Sequence, residues 1–234
     1  MQYQLIRSKR RTIAISFDRD GNLIVKAPLW VSLCDIESFL LQKTDWITQT
    51  GKRLKQSRQE EKSKRLPLEN GDIVWYLGEK RILSIMREER KTGRIKCAMD
   101  RIIMWIPYDA GYEFKLALLE KWYRKEAGIL LNEKAEEFAD LLHVTYQTIH
   151  IKDQKSRWGS CSGRGNLNFN WRIIMAPEPV CDYVVIHELC HLVHMNHSQE
   201  FWKLVESICP NYQQYKKWLK NNADTLYFQK TNIM

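Results

Sequence analysis

His187, Glu188 and His191 stand in the order H-E-x-x-H, and His197 follows six residues later. On an α-helix His187 and His191 lie one turn apart on one face. Two imidazoles so placed can grip one Zn²⁺ at about 2.0–2.1 Å each. Glu188 sits about 100° around the helix from His187, where a general base for a water held by the metal belongs. Two histidines compete for the third corner. His194 would extend His187 and His191 into a nearly straight row, a poor match to three corners of a tetrahedron. His197 lies beyond Met195-Asn196, and Asn196 tolerates the left-handed conformation that ends a helix. Geometry therefore favours His197 and leaves His194 as a helix-end histidine near the C-terminal dipole. Tyr183, Ile186, Cys190 and Val193 form an apolar stripe that accounts for a helix but not for its histidine-bearing face.

Three protein ligands leave one position open, whereas structural zinc sites usually have four. The pattern thus points to a hydrolase in which Glu188 takes a proton from the attacking water and delivers it to the leaving group. Arg157 is a candidate for an oxyanion or a substrate carboxylate or phosphate, with a structural ion pair as the competing role. Asn168 alternates away from Leu167 and Phe169 and can line a cleft. Tyr212 and Tyr215 are candidate oxyanion donors from the last helix. Asp182 suits either an orienting carboxylate or a helix cap.

The elements that must position these groups read as an α+β chain with two parts, 1–107 and 108–234. The first part is strand-rich with one long helix. Thr12 to Phe17 alternates like a half-buried strand, Asp18-Arg19-Asp20-Gly21-Asn22 is a turn cluster, and Leu23 to Ala27 returns. Ser32 and Asp35 make an S-x-x-D start for a helix that continues through the basic segment to Pro67. Short strands follow at 73–77, 81–85, 94–97 and 102–106. The second part is helical from Glu113 to Leu142, with Gly128 a potential break. Strand-like segments 148–151 and 167–171 precede the H-E-x-x-H helix, which Pro177 and Pro179 open. Ser198 caps a further helix and Pro210 opens the last.

With 234 residues, 44% of them apolar, and nine tryptophans, the chain can build substantial cores. No apolar run approaches the roughly 20 residues needed to span a bilayer, and the N-terminus lacks a signal-peptide core. The six cysteines form no C-x-x-C pair. These features predict a reducing, cytoplasmic setting and no membrane partner. The net charge of +9 favours polyanionic partners, and its densest stretch, 52–65, is a candidate nucleic-acid contact as well as an ordinary solvated helix.

Ser156-Arg157-Trp158-Gly159-Ser160-Cys161, Leu167-Asn168-Phe169-Asn170, Asp182 to Leu189, Asn196-His197-Ser198 and Phe201-Trp202 together resemble the YgjP-like metal-dependent hydrolases, relatives of the SprT and WLM zinc-peptidase groups. The likeness is strongest over 151–219 and weaker over the N-terminal strands, including Tyr76-Leu77-Gly78. It implies a zincin-like C-terminal unit with helices on a small sheet, zinc ligands His187, His191 and His197, and Glu188 as the catalytic glutamate. It leaves two activities open. One is a zinc metallopeptidase whose peptide lies along a sheet edge beside the zinc helix. The other is a divalent-metal nucleoside-triphosphate pyrophosphohydrolase, a designation some members carry. A nucleic-acid-binding protein with a structural metal is a third reading. Histidine donors suit zinc and also tolerate Mn, Co and Ni. His194 replaces the glycine of the metzincin motif, and the one methionine after His197 is Met234, which argues against a methionine turn.

Overall fold

The computed structural model describes residues 2–18, 22–64, 66–154 and 156–228, without the side chains of Lys55 and residues 57–64. Most of the basic segment 52–65 therefore lies outside the described side chains, as does the 19–21 part of the turn cluster. The fold is mixed α+β, with six α-helices and three small sheets among the described residues. No described helix is long and apolar enough to cross a membrane.

The chain divides into two compact units, Met1–Arg65 and Leu66–Met234. In the first, β1 (Gln4–Ser8) runs parallel to β3 (Leu23–Pro28), and β2 (Ala14–Phe17) pairs antiparallel on β3's other side. Leu23, Val25 and Ala27 alternate inward on β3 and meet Ile36 and Leu40 of α1 (Leu33–Gln42). Ser32 caps α1 as its sequence predicts, accepting from the Asp35 N–H and donating to the Asp35 carboxylate. The expected single long helix is two: α1 ends at Lys43 and α2 (Thr44–Lys64) begins anew. The Thr44 hydroxyl explains the break, since it donates back to the carbonyls of Leu40 and Leu41 at 3.2 and 2.8 Å.

In the second unit, β4 (Ile73–Tyr76), β5 (Glu79–Glu88), β6 (Arg94–Cys97) and β7 (Arg101–Pro107) form a sheet in the order β4-β5-β7-β6. The first unit boundary falls after Arg65 rather than at the 107/108 boundary expected from sequence, and one contact explains why. Leu77 and Gly78 join β4 to β5 with positive φ at both positions (51° and 77°), the two-residue hairpin turn that matches strand twist. Their N–H groups donate to the carbonyls of Ile174 and Met175 at 2.8 and 3.2 Å. A Cβ at Gly78 would lie 2.7 Å from Pro177 Cα, so only glycine permits this approach. Leu83, Ile102, Met104 and Ile106 accordingly share one core with Val180, Ile186 and Leu189.

The long helix α3 (Tyr112–Leu142) is helical throughout, as its pattern predicts, and does not break at Gly128. Buried residues every four positions, Leu119, Tyr123, Ala127, Leu131, Ala135 and Ala139, lay a continuous inward stripe that outweighs one glycine's propensity cost of about 1 kcal/mol. The third sheet follows, β8 (Thr148–Lys152), β9 (Gly159–Cys161) and β10 (Asn166–Asn170) in the order β8-β10-β9. A 3₁₀ turn (Trp171–Met175) leads to α4 (Glu178–Cys190), then α5 (Gln199–Ile208), α6 (Tyr212–Asn222) and a last 3₁₀ turn (Ala223–Leu226).

Candidate metal centre

Helix α4 is buried nearly all round, with Val180, Cys181, Tyr183, Val184, Val185, Ile186, Glu188, Leu189 and Cys190 inside. It is thus a central helix rather than the amphipathic one expected from the Tyr183–Val193 stripe, and Val193, 48% exposed, lies past its end. The helix closes at His191, and the chain leaves through bonds from Leu192 N–H to Leu189 O and from His194 N–H to Cys190 O. Asn196 is not left-handed: among the described non-glycine residues only Leu68, Leu77 and His143 have positive φ. A run of ordinary turns does the same work and brings His197 back just before the Ser198 cap of α5.

The return places His187, His191 and His197 with one ring nitrogen each within 4.8 Å of the others. Nε2 of His187 and Nε2 of His197 lie 3.1 Å apart. Two donors on a tetrahedral zinc at about 2.0–2.1 Å would be roughly 3.3 Å apart, so the spacing fits a shared ion. His191 Nδ1 lies 3.1 Å from the carbonyl of His194. A carbonyl only accepts, so this nitrogen carries the proton and Nε2 keeps its lone pair free for a metal. The ring of Phe201 lies 5.0, 4.5 and 4.9 Å from those of His187, His191 and His197, and Trp202 stacks on His197 at 5.5 Å. Burial, with the neighbouring His191, His197 and Lys216, pushes His187 down to about 3, keeping it in the neutral form that ligation requires. Burial, His191 and Lys216 also lower His197.

Glu188 is 5% exposed. Its carboxylate lies against Gly159 of β9, where a Cβ would come within 2.6 Å of Oε1. Burial pushes Glu188 up to about 7, opposed by a bond from the Cys161 N–H and by the Arg157 charge. Strand β9 is the edge of its sheet. Bonds from Ser162 N–H to Asn166 O and from Asn170 N–H to Trp158 O fix which residues face inward. By antiparallel alternation Ser160 also bonds to β10, and the backbone groups of Gly159 and Cys161 point to the open edge.

A cavity of about 400 Å³ adjoins the triad, lined by Arg157, His187 and Glu188, by Tyr183 of the apolar stripe, and by two groups with no role assigned from sequence, Lys216 and Lys220. Arg157 therefore reaches the site. Buried Asn170 holds its loop, donating to the carbonyls of Gln154 and Arg157 at 2.6 and 3.4 Å. Asn168 does not reach it. Asn168 pairs with Ser160, bonding its hydroxyl at 3.2 Å, on the sheet face opposite Gly159 and Glu188. Tyr212 stacks on Trp202 at 5.2 Å, one ring removed from His197. Tyr215 lines a separate cleft with Asp182 and Cys209. Asp182 itself faces Lys134, which lies 3.3 Å from it and 2.9 Å from Glu178, so it neither orients a histidine nor caps α4. The one sequence signal for the lysines was their spacing, one helical turn apart and a turn beyond Tyr212.

No curated protein matches the chain. Among solved structures, the zymogen of abylysin from Pyrococcus abyssi is similar at 22% identity over 39% of this chain and 93% of that one, with a TM-score of 0.36. The zymogen of jannalysin from Methanocaldococcus jannaschii is similar at 20% identity over 38% of this chain and 88% of that one, with a TM-score of 0.32. Both are described as metallopeptidases. The family model described as YgjP-like, metallopeptidase domain, matches residues 11–222, and the chain belongs to that family as a metal-dependent hydrolase.

Proposed function

We propose that the protein is a zinc metallopeptidase with a zincin-like second unit, in which His187, His191 and His197 hold the ion and Glu188 is the general base. When bound, the ion supplies a Lewis acid that acidifies water and polarises a carbonyl. Glu188 takes the proton of the attacking water and hands it to the departing amine nitrogen. Wedging against Gly159 and the bond from Cys161 N–H hold its carboxylate in one place. Arg157 is the candidate partner for developing negative charge. A peptide substrate pairs as an added strand with the outward backbone of Gly159 and the Cys161 carbonyl. The three buried thiols Cys181, Cys190 and Cys209, and the absence of any disulfide among the described residues, suit a reducing cytoplasm.

The observation that carries this reading is the buried Glu188 carboxylate beside three converging imidazoles at the wall of a cavity. A structural metal site has no use for a carboxylate kept out of the donor set. The test is a panel of the zinc-loaded protein against unfolded protein and nucleoside triphosphates, with metal content measured alongside. Peptide cleavage that stops on chelation and returns with zinc is expected. Hydrolysis of triphosphates without peptide cleavage would overturn it.

A further inference from the structure

The cavity beside the triad carries a charge pattern that water hydrolysis does not require. Its floor is apolar, from Tyr183, Val184 and Leu219, which are 5, 4 and 7% exposed. Its polar wall holds three cations, Arg157, Lys216 and Lys220, against one acid, Glu188. No ion pair joins any of the three cations to a carboxylate among the described residues, whereas Lys115 and Lys134 elsewhere in the unit each have one at 2.6 and 2.9 Å. Helix α6, YQQYKKWLKNN, contains no acid that could serve. Lys216 and Lys220 are one turn apart on its cavity face, where like charges repel. Lys216 Nζ lies 4.3 Å over the Trp202 ring, the same ring that stacks on His197. All three cations are exposed at the rim, yet like charges gathered over an apolar floor focus field into a cleft and raise the local concentration of an anion.

We propose that this cavity is a subsite for a carboxylate of the peptide substrate, held by Lys216 and Lys220, with Arg157 lining the same cavity. It rests on the peptidase reading and adds a substrate class to it, peptides with an acidic side chain or a free C-terminal carboxylate near the scissile bond. Lysines at this position give charge selection, with the apolar floor taking the methylenes beside the carboxylate.

The test reads binding without turnover. Full-length, zinc-loaded Glu188→Gln protein is titrated with three labelled peptides: one amidated with an internal Glu, the same with Gln for Glu, and the Gln peptide with a free C-terminus. One carboxylate peptide should bind about ten-fold or more tighter than the neutral one, with the advantage shrinking in salt. Which carboxylate gains identifies its source. A Lys216→Glu/Lys220→Glu double variant should abolish the advantage, and Lys216→Gln/Lys220→Gln, milder for folding, should reduce it. Equal binding of all three peptides, or an advantage that survives charge reversal in a folded variant, overturns the proposal, as does tripolyphosphate binding through these lysines with no carboxylate preference. Wild-type cleavage of unfolded protein without acidic preference sinks the subsite and leaves the peptidase reading intact. Lysine-dependent binding without any peptide cleavage does the reverse.

Discussion

Gly159 and Glu188 are in such close register that the carboxylate occupies the space a side chain at 159 would need, 2.6 Å from where its Cβ would stand. Gly159→Ala should therefore displace Glu188 rather than disturb the histidines. Misplacing a catalytic group by about 1 Å can cost roughly 10²-fold. The expected outcome is a loss of turnover of about that size with normal metal content. A variant as active as wild type would show that Glu188 has freedom the packing does not suggest.

Glu188→Gln keeps shape and hydrogen bonding and removes the base. Activity should fall by about 10²–10⁴-fold with zinc retained, since that is what general acid–base catalysis supplies. Zinc loss in this variant would make Glu188 a ligand instead.

His197→Ala should strip the metal, whereas His194→Ala should leave it, because position 194 contributes its backbone carbonyl to His191 and not its ring. Elemental analysis of the two purified variants decides between them. Zinc kept by the first and lost by the second would reverse the assignment.

Two buried groups should tilt the acid stability of the metal-free protein in opposite directions. His187 is held down to about 3 from 6.5, so between those values the unfolded chain binds the extra proton and stability falls as pH falls. Glu188 is pushed up to about 7 from 4.5, so across that window the folded chain binds the extra proton and stability rises as pH falls. Thermal melts from pH 7 to 4 should show a steeper acid loss for Glu188→Gln and a shallower one for His187→Leu. Parallel curves for all three proteins would contradict both assignments.

Gly78→Ala combines a φ of 77° with a Cβ 2.7 Å from Pro177. Strain and overpacking together should destabilise the second unit by about 2 kcal/mol or more. Because the turn bonds the segment just before α4, metal affinity should fall with it. A denaturation midpoint equal to wild type would mean that this contact is dispensable.

The placement of His187, Glu188 and His191 was legible because a helix's 3.6-residue period translates spacing directly into position. His197 needed a change of chain direction to join them, and the structure makes that turn without the left-handed Asn196 expected to produce it. What sequence spacing could not convey was contact between distant segments. The bonds from Leu77 and Gly78 to Ile174 and Met175 span almost a hundred positions, and they tie the middle strands to the segment that leads into α4. The same holds for Lys216 and Lys220, whose relation to His187 exists only once α6 packs on α4. Asn168 shows the converse, since alternation correctly separated it from Phe169 but could not say which sheet face met Glu188.

Phe201 lies against all three imidazoles, so protein packing helps to gather them. On the proposed assignment, metal capture would require no refolding, unlike a zinc finger, where binding and folding are one event. Added zinc should raise the melting temperature by simple mass action on a preorganised site, scaling with the logarithm of free metal above Kd. The denaturant dependence of unfolding should stay the same, because no additional surface is buried when the ion arrives.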